Sequence, residues 1–368
     1  MGIRVRVILV GVMLSFHVSQ ELPAQFLRPN YLGVRPTAMG NAYTAVADDN
    51  NVLWYNPAGL TQIRGLHFNL FNFLMGADST QTLSGIKEAV MNGQYSNLLQ
   101  GQNPEFLRDT VAPSFFMPNF GFALLQNAQG ILNIENLTST GVDIFAANDL
   151  GAIAGIGIPV SKYLGFGVAA SFVERSGIDV SMTPSQLLAY FSLSESQFMA
   201  NIYQALTSRM GTGYGFGVHL GALARLPIVD SNNELTFGAA ALNVGRTTFT
   251  SLGSLPAPPG LPPVYNFGTS LLHYFHARSS LRWSVDIHHN FEVMPFFKQA
   301  HLGAEYRFSQ FHFDVGLYQA YPTFGCGFHA PHHTEVIFSS YAMELGDKVW
   351  EQGLRVYLLQ VNIGFSPW

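Results

Sequence analysis

The chain has 368 residues, of which 11% are charged, 13% are aromatic and 36 are glycine. So few charges, against roughly 25% in an average soluble domain, argue against an ordinary soluble protein, and a net charge of −5 leaves no basic excess for nucleic acid. A helical membrane protein is excluded as well. A spanning helix needs about 20 consecutive apolar residues, but beyond the N-terminus the best run, Leu150 to Val160, is about half that length and holds Gly151, Gly155, Gly157 and Pro159.

The first residues predict a signal peptide over 1–24. Arg4 and Arg6 form a basic start, Val7 to Phe16 an apolar core, and Leu22-Pro23-Ala24 a cleavage site. Export removes most cytosolic enzyme functions. Residues 25–62 then differ from everything that follows. They are rich in small residues, as in Met39-Gly40-Asn41-Ala42-Tyr43-Thr44-Ala45, and carry no strand alternation. A compact piece of this kind suits a hatch inside a barrel, the other reading being a plain periplasmic lead-in.

From residue 63 to 368 the dominant signal is alternation with period two, which puts successive side chains on opposite faces of a strand. Leu164, Phe166, Val168, Ala170 and Phe172 alternate with Gly165, Gly167, Ala169 and Ser171. The same pattern recurs at Tyr214 to Gly221, Leu281 to His288, Ala300 to Arg307, Phe311 to Tyr318 and Tyr357 to Phe365. The second face is mostly Gly, Ala, Ser and His, which fits an enclosed lumen better than the wet face of a soluble sandwich. The expectation is an all-β protein, a transmembrane antiparallel barrel of about 14 strands, each about 9–12 residues long as tilted spanning strands require. Short turns at Ser161–Tyr163, Val229–Asn233, His276–Ser279 and Ser309 broadly alternate with long connections at Met75–Ala112, Ser176–Thr212 and Arg246–Pro263. Two of the long connections carry helical spacing, from Leu83 to Val90 and from Leu187 to Leu206. The final alternation ends at Phe365, with Trp368 out of phase. Cys326, the only cysteine, permits no internal disulfide and reads as a packing residue.

Polar residues on the lumen face concentrate on three consecutive C-terminal strands: Arg282, Asp286, His288, His301, Glu305, Arg307, His312 and Asp314. They form either an ion-pair network that holds hatch to wall or a site for a ligand carboxylate. In the latter case Arg282 and Arg307 are the bidentate partners of an anionic head group. His329, His332 and His333 around Pro331 read as a solvated turn, so no metal is expected. The letters Gly165-x-Gly167-x-x-Ala170 lie within a strand with no helix after them and do not make a dinucleotide site. No nucleophile elbow occurs, and neither an enzyme nor a cofactor is expected.

Residues 33–60 carry a resemblance. Met39-Gly40-Asn41-Ala42-Tyr43-Thr44-Ala45-Val46-Ala47-Asp48-Asp49, followed by Asn56-Pro57-Ala58-Gly59-Leu60, resembles the N-terminal signature of the FadL-type outer-membrane transporter superfamily, its wording nearer to the PorV/PorQ-like branch. The stretches Ala241-Leu242-Asn243-Val244-Gly245 and Leu302-Gly303-Ala304-Glu305-Tyr306-Arg307-Phe308 add weaker matches. The resemblance implies a cell outer-membrane barrel of 14 strands with a hatch in its lumen, the hatch motif falling on Asn56, Pro57 and Ala58. It implies passive transport of hydrophobic small molecules such as fatty acids, with outer-membrane lipids around the wall. The alternative it implies is a barrel that docks or anchors secreted proteins of a type IX-like secretion system. At the motif, a turn that fixes hatch to wall is expected over direct ligand contact.

Overall fold

The computed structural model describes residues 31–78, 105–136, 141–182, 209–227, 232–289, 295–330, 334–346 and 348–365. The expected signal peptide, the two helical loop patterns, His332, His333 and Trp368 lie outside them. The strands are β1 His67–Ala77, β2 Glu105–Val111, β3 Ser114–Met117, β4 Phe120–Asn136, β5 Gly141–Pro159, β6 Leu164–Met182, β7 Gly211–Pro227 and β8 Asn233–Leu242. They continue as β9 Thr250–Ser251, β10 Val264–His276, β11 Ser279–His289, β12 Ala300–Phe308, β13 Phe311–Tyr318, β14 Tyr321–Ala330, β15 Thr334–Glu344 and β16 Gly353–Phe365. β2 and β3 are two halves of one stave, since both pair with β1 and with β4. β9 is a short addition beside β7. β16 pairs back onto β1, from Phe68 opposite Phe365 to Ala77 opposite Tyr357, so fourteen antiparallel staves close into a barrel. Closure matters because hydrocarbon offers no partner to an unpaired peptide group.

The alternation sorts as expected. On β6, Phe166, Val168 and Phe172 are exposed on the outside, while Gly165, Gly167, Ala169 and Ser171 are buried within. Outward aromatics pack across strands: Phe68 stacks on Phe365 at 4.8 Å over the closing seam, and Phe172 and Phe216 at 5.2 Å and Phe311 and Phe328 at 5.1 Å meet tilted. Cys326 departs from its expected packing role. It lies on the outward face of β14, exposed between Phe324 and Phe328, because alternation puts it in phase with them.

Strand lengths also depart from expectation. β4 and β7 have 17 residues and β5 and β6 have 19, beyond the roughly 9–11 that span a bilayer. β4 runs unbroken from Phe120 to Asn136, and the connections expected from Met75 and from Ser176 begin later, after Ala77 and Met182. The extra length projects the wall at the end opposite the short turns. The connection from 243 to 263 is folded onto that end rather than open: Thr247 pairs with Leu261, and Phe249 and Leu261 pack on Val173. An arginine at Val168, in the outward belt, should cost about 2–4 kcal/mol of folding stability in a bilayer, and one at Tyr163, beside a turn, about 0–1. Urea titration of refolding into lipid vesicles measures both; equal costs would contradict the assigned faces.

Candidate functional site

The N-terminal segment from Tyr31 to Ile63 threads the barrel interior. Helix α1, Val34–Ala38, lies against the inner faces of β13 to β16. Met39 closes it, and Gly40 turns the chain at φ +62°, so near the wall that an added Cβ would sit 2.2 Å from the Leu302 carbonyl oxygen. Only glycine meets both demands cheaply. Thr323 secures the turn, its hydroxyl donating to the Ala38 carbonyl at 2.8 Å and accepting the Gly40 N–H at 3.1 Å. Helix α2, Val52–Tyr55, leads to Asn56, Pro57 and Ala58, which start a 3₁₀ helix, Pro57–Gln62, against β5 to β7.

Asn56 caps that 3₁₀ helix. Its Oδ1 accepts the Ala58 N–H at 3.1 Å, and its Nδ2 donates to the Thr44 carbonyl at 2.8 Å and to the Ala222 carbonyl of the wall at 3.2 Å. Pro57 takes the first position, where its missing N–H costs nothing. The glycines on the facing wall make room for this motif: a Cβ at Gly167 would meet the Pro57 carbonyl carbon at 2.2 Å, and one at Gly221 would meet Asn56 Oδ1 at 2.0 Å.

Across the lumen, charge joins the segment to the wall. Buried Arg35 bonds Glu305 of β12 through Nε at 2.5 Å and Nη2 at 3.1 Å, and reaches Asp48 at 2.8 Å and Asp49 at 2.9 Å. Its Nη1 also donates to the Tyr43 hydroxyl. Arg282 of β11 bonds Asp48 at 2.8 Å, and Arg307 bonds Glu305 at 2.8 Å. Three guanidinium groups thus face three carboxylates. Burial alone would raise the Asp48 carboxyl, but Arg35, Arg282 and Arg307 hold it well below its ordinary range. Asp286 and His301 stand apart from this cluster and grip backbone. Asp286 Oδ2 accepts the N–H groups of Tyr43 at 2.8 Å and Thr44 at 2.7 Å, and His301 Nδ1 donates to the Gly40 carbonyl at 2.8 Å. Of the wall residues singled out in the sequence, Arg282, Glu305 and Arg307 therefore join the charged cluster while Asp286 and His301 hold backbone, and Arg282 and Arg307 are engaged by carboxylates. Arg35, Asp48 and Asp49 were missed as partners; their signal was charge within an otherwise small and apolar segment.

Cavities lie on both sides of the segment. The one toward the long connections has a volume of about 90 Å³ and is lined by Tyr31, Trp54, Tyr55, Leu242, Leu261 and Val264. Tyr31 stacks on Trp54 at 4.9 Å. Its polar lining includes Asn266 and His301, both buried. Asn266 Oδ1 and His301 Nε2 have no hydrogen-bond partner among the described residues. The connection from 243 to 263 roofs this side, tied down where Arg175, paired with Asp149 at 2.6 Å, donates to the Pro259 carbonyl at 2.9 Å. The cavity toward the short turns is larger, about 450 Å³, and charged, with Arg35, Asp48, Arg307, His329 and Glu335 in its lining.

Among the described residues one stave of the wall is interrupted at this level. Pro113 has no N–H for the ladder, and β2 gives way to β3 there, opposite a register shift between Asn69 and Phe71 of β1. Bonds from Ala112 N–H to Asn72 and from Leu124 N–H to Pro113, both 2.9 Å, bridge the break. Ala112 and Phe116, on either side of it, share a core cluster with Tyr31, Trp54 and Leu60.

No protein-family model matches the chain, and no curated protein matches it. Solved structures do. It superposes on the TodX deltaS2S3 mutant monoaromatic hydrocarbon channel with TM-score 0.54 and 14% identity, covering 91% of this chain and 98% of that one. The CymD monoaromatic hydrocarbon channel gives TM-score 0.51 and 13% identity over 93% and 99%. At these identities the likeness shows the fold alone, a closed antiparallel β-barrel.

Replacing Arg35 with Met strips buried Glu305 of a partner and should destabilise docking of the segment by about 3–5 kcal/mol. Hydrogen exchange should rise at the Tyr43 and Thr44 amides while the strands keep their protection, and adding Glu305→Gln should restore part of the loss. Alkali should act on the same segment. Burial raises the phenols of Tyr31, Tyr43 and Tyr55 well above their ordinary value. A group whose pKa is higher folded than unfolded contributes stability that is complete below the unfolded value, here about 10, and fades as pH rises past it. The opening free energy of the segment, from exchange rates corrected for base catalysis of the amides, should therefore be flat from neutrality to about pH 10 and fall above that, and a flat profile to pH 12 would contradict the burial of these phenols.

Proposed function

We propose that the protein is an outer-membrane channel for passive passage of small hydrophobic molecules, and that the aromatic cavity beside the hatch is where cargo pauses. The observation that carries this reading is the contrast across the segment, with an aromatic and aliphatic cavity on one side and a charged cavity on the other. Burying apolar surface in the first is worth about 25 cal/mol per Å², whereas the second repels the same cargo. A dry cavity of about 150 Å³ can hold benzene, so a volume of about 90 Å³ suits a ring after a small shift, or only the end of an acyl chain. Ring-sized cargo is therefore favoured over whole fatty acids. With Nδ1 donating to Gly40, His301 Nε2 is left as an acceptor, as is Asn266 Oδ1. A cargo bearing one O–H would satisfy such a group.

Onward passage through the charged cavity is unfavourable for apolar cargo. The interrupted stave at Ala112–Pro113, packed directly on the segment, is the weaker boundary and the proposed way out. The test uses the purified barrel in detergent, following Trp54 fluorescence with toluene, cresol and a fatty acid. Saturable toluene binding is expected, cresol should bind about two- to tenfold tighter from its added hydrogen bond, and Leu261→Trp should abolish both by filling the cavity. Absence of saturable binding, or binding indifferent to Leu261→Trp, would overturn the assignment. Absence of binding together with co-purification of exported proteins would favour a docking barrel instead.

A further inference from the structure

We propose that His312, His329 and Glu335 form a binding site for a borderline divalent cation, of the zinc type, at the inner mouth of the barrel. The three side chains come from the adjacent strands β13, β14 and β15, and each offers a ligand atom such that all lie within 4.8 Å of one another. Glu335 is opposite His329 in the register, and their Oε1 and Nδ1 are 2.9 Å apart. Two imidazoles and one carboxylate are a zinc-type donor set.

The strongest observation is the state of His312. It is fully buried, and its Nε2 has no hydrogen-bond partner among the described residues. Its Nδ1 is held by Asp314 Oδ2 at 2.7 Å. A carboxylate on Nδ1 is the outer-shell arrangement that fixes an imidazole with its Nε2 lone pair free for a metal. The residue opposite His312 is Gly327, and a Cβ there would sit 1.9 Å from His312 Nε2. The bare glycine thus lets the ring lie across β14 toward Glu335. A buried, oriented, unpaired nitrogen is costly unless something uses it.

The neighbouring charges leave this trio available. Glu305 and Asp314 also lie within 4.8 Å ligand spacing of His312, but Glu305 is taken by Arg35 and Arg307, and Asp314 by His312 itself. His329 and Glu335 line the inner cavity, so an ion and a fourth ligand have an approach. The ion would tie three staves together beside the Arg35–Glu305 contact.

The test is a Co²⁺ titration of the tag-free, chelator-stripped barrel in detergent. One equivalent is expected, with the intense visible bands of a four- or five-coordinate ion, displaced by Zn²⁺. His329→Ala and Glu335→Gln should each weaken binding at least tenfold. Asp314→Asn should weaken it about 10–100-fold as an outer-shell residue while the band shape persists. His276→Ala, at a turn remote from the trio, should change nothing. The proposal is overturned by absence of the bands, or by a His332→Ala/His333→Ala double variant abolishing binding that His329→Ala and Glu335→Gln leave intact. Unchanged urea midpoints for His329→Ala and Glu335→Gln would separate lost ligation from lost folding.

Discussion

In hydrocarbon an unpaired peptide group has no water to turn to, and that constraint shapes everything else in this protein. It requires β16 to return to β1, and the closed ladder then gives each strand one face for lipid and one for an enclosed interior. The outer face becomes Phe, Val, Leu and Ile. The inner face becomes small where the Asn56–Pro57 turn passes, with Gly167 and Gly221 beneath Pro57 and Asn56. The same rule makes the break at Pro113 notable: it is tolerated because neighbouring N–H groups reach across it and because side chains of the N-terminal segment pack behind it.

Inside the barrel a second cost governs. Charges removed from water must be matched, and the segment and wall each supply part of one balanced cluster of Arg35, Arg282 and Arg307 with Asp48, Asp49 and Glu305. An interior held this way is specific in position, since each partner is directional, but it depends on every member being present. The arrangement also divides the lumen chemically. Aromatic rings of the segment face one end and its charges face the other, so the segment separates an aromatic cavity from a charged one.

Much of the fold was legible in the chain because a strand's two faces follow from backbone geometry alone. The faces of β6, β11, β12 and β13 were assigned correctly from alternation. The end of β6 beyond Arg175 was read as connection because outside the lipid the outward face turns polar as well, as at Glu174 and Ser176 beside buried Arg175, and the contrast that marks a strand disappears. Cys326 was misjudged by its apolar neighbours when its phase on β14 decided its side. Of the candidate site, the wall residues Arg282, Asp286, His301, Glu305 and Arg307 were visible as polar residues on an inner face, and Asn56, Pro57 and Ala58 as a turn.

The sequence by itself determined that these segments are strands with one greasy and one enclosed face, since a period of two is a local property that needs no partner. Only the tertiary structure decided that Arg35 meets Glu305 across 270 residues of chain, that Asp286 caps the turn at Tyr43, and that His312 reaches over Gly327. Those contacts depend on how far each stave is shifted against the next and how deep the segment sits. Both are set by closure of the whole barrel, and no short stretch of chain carries that information.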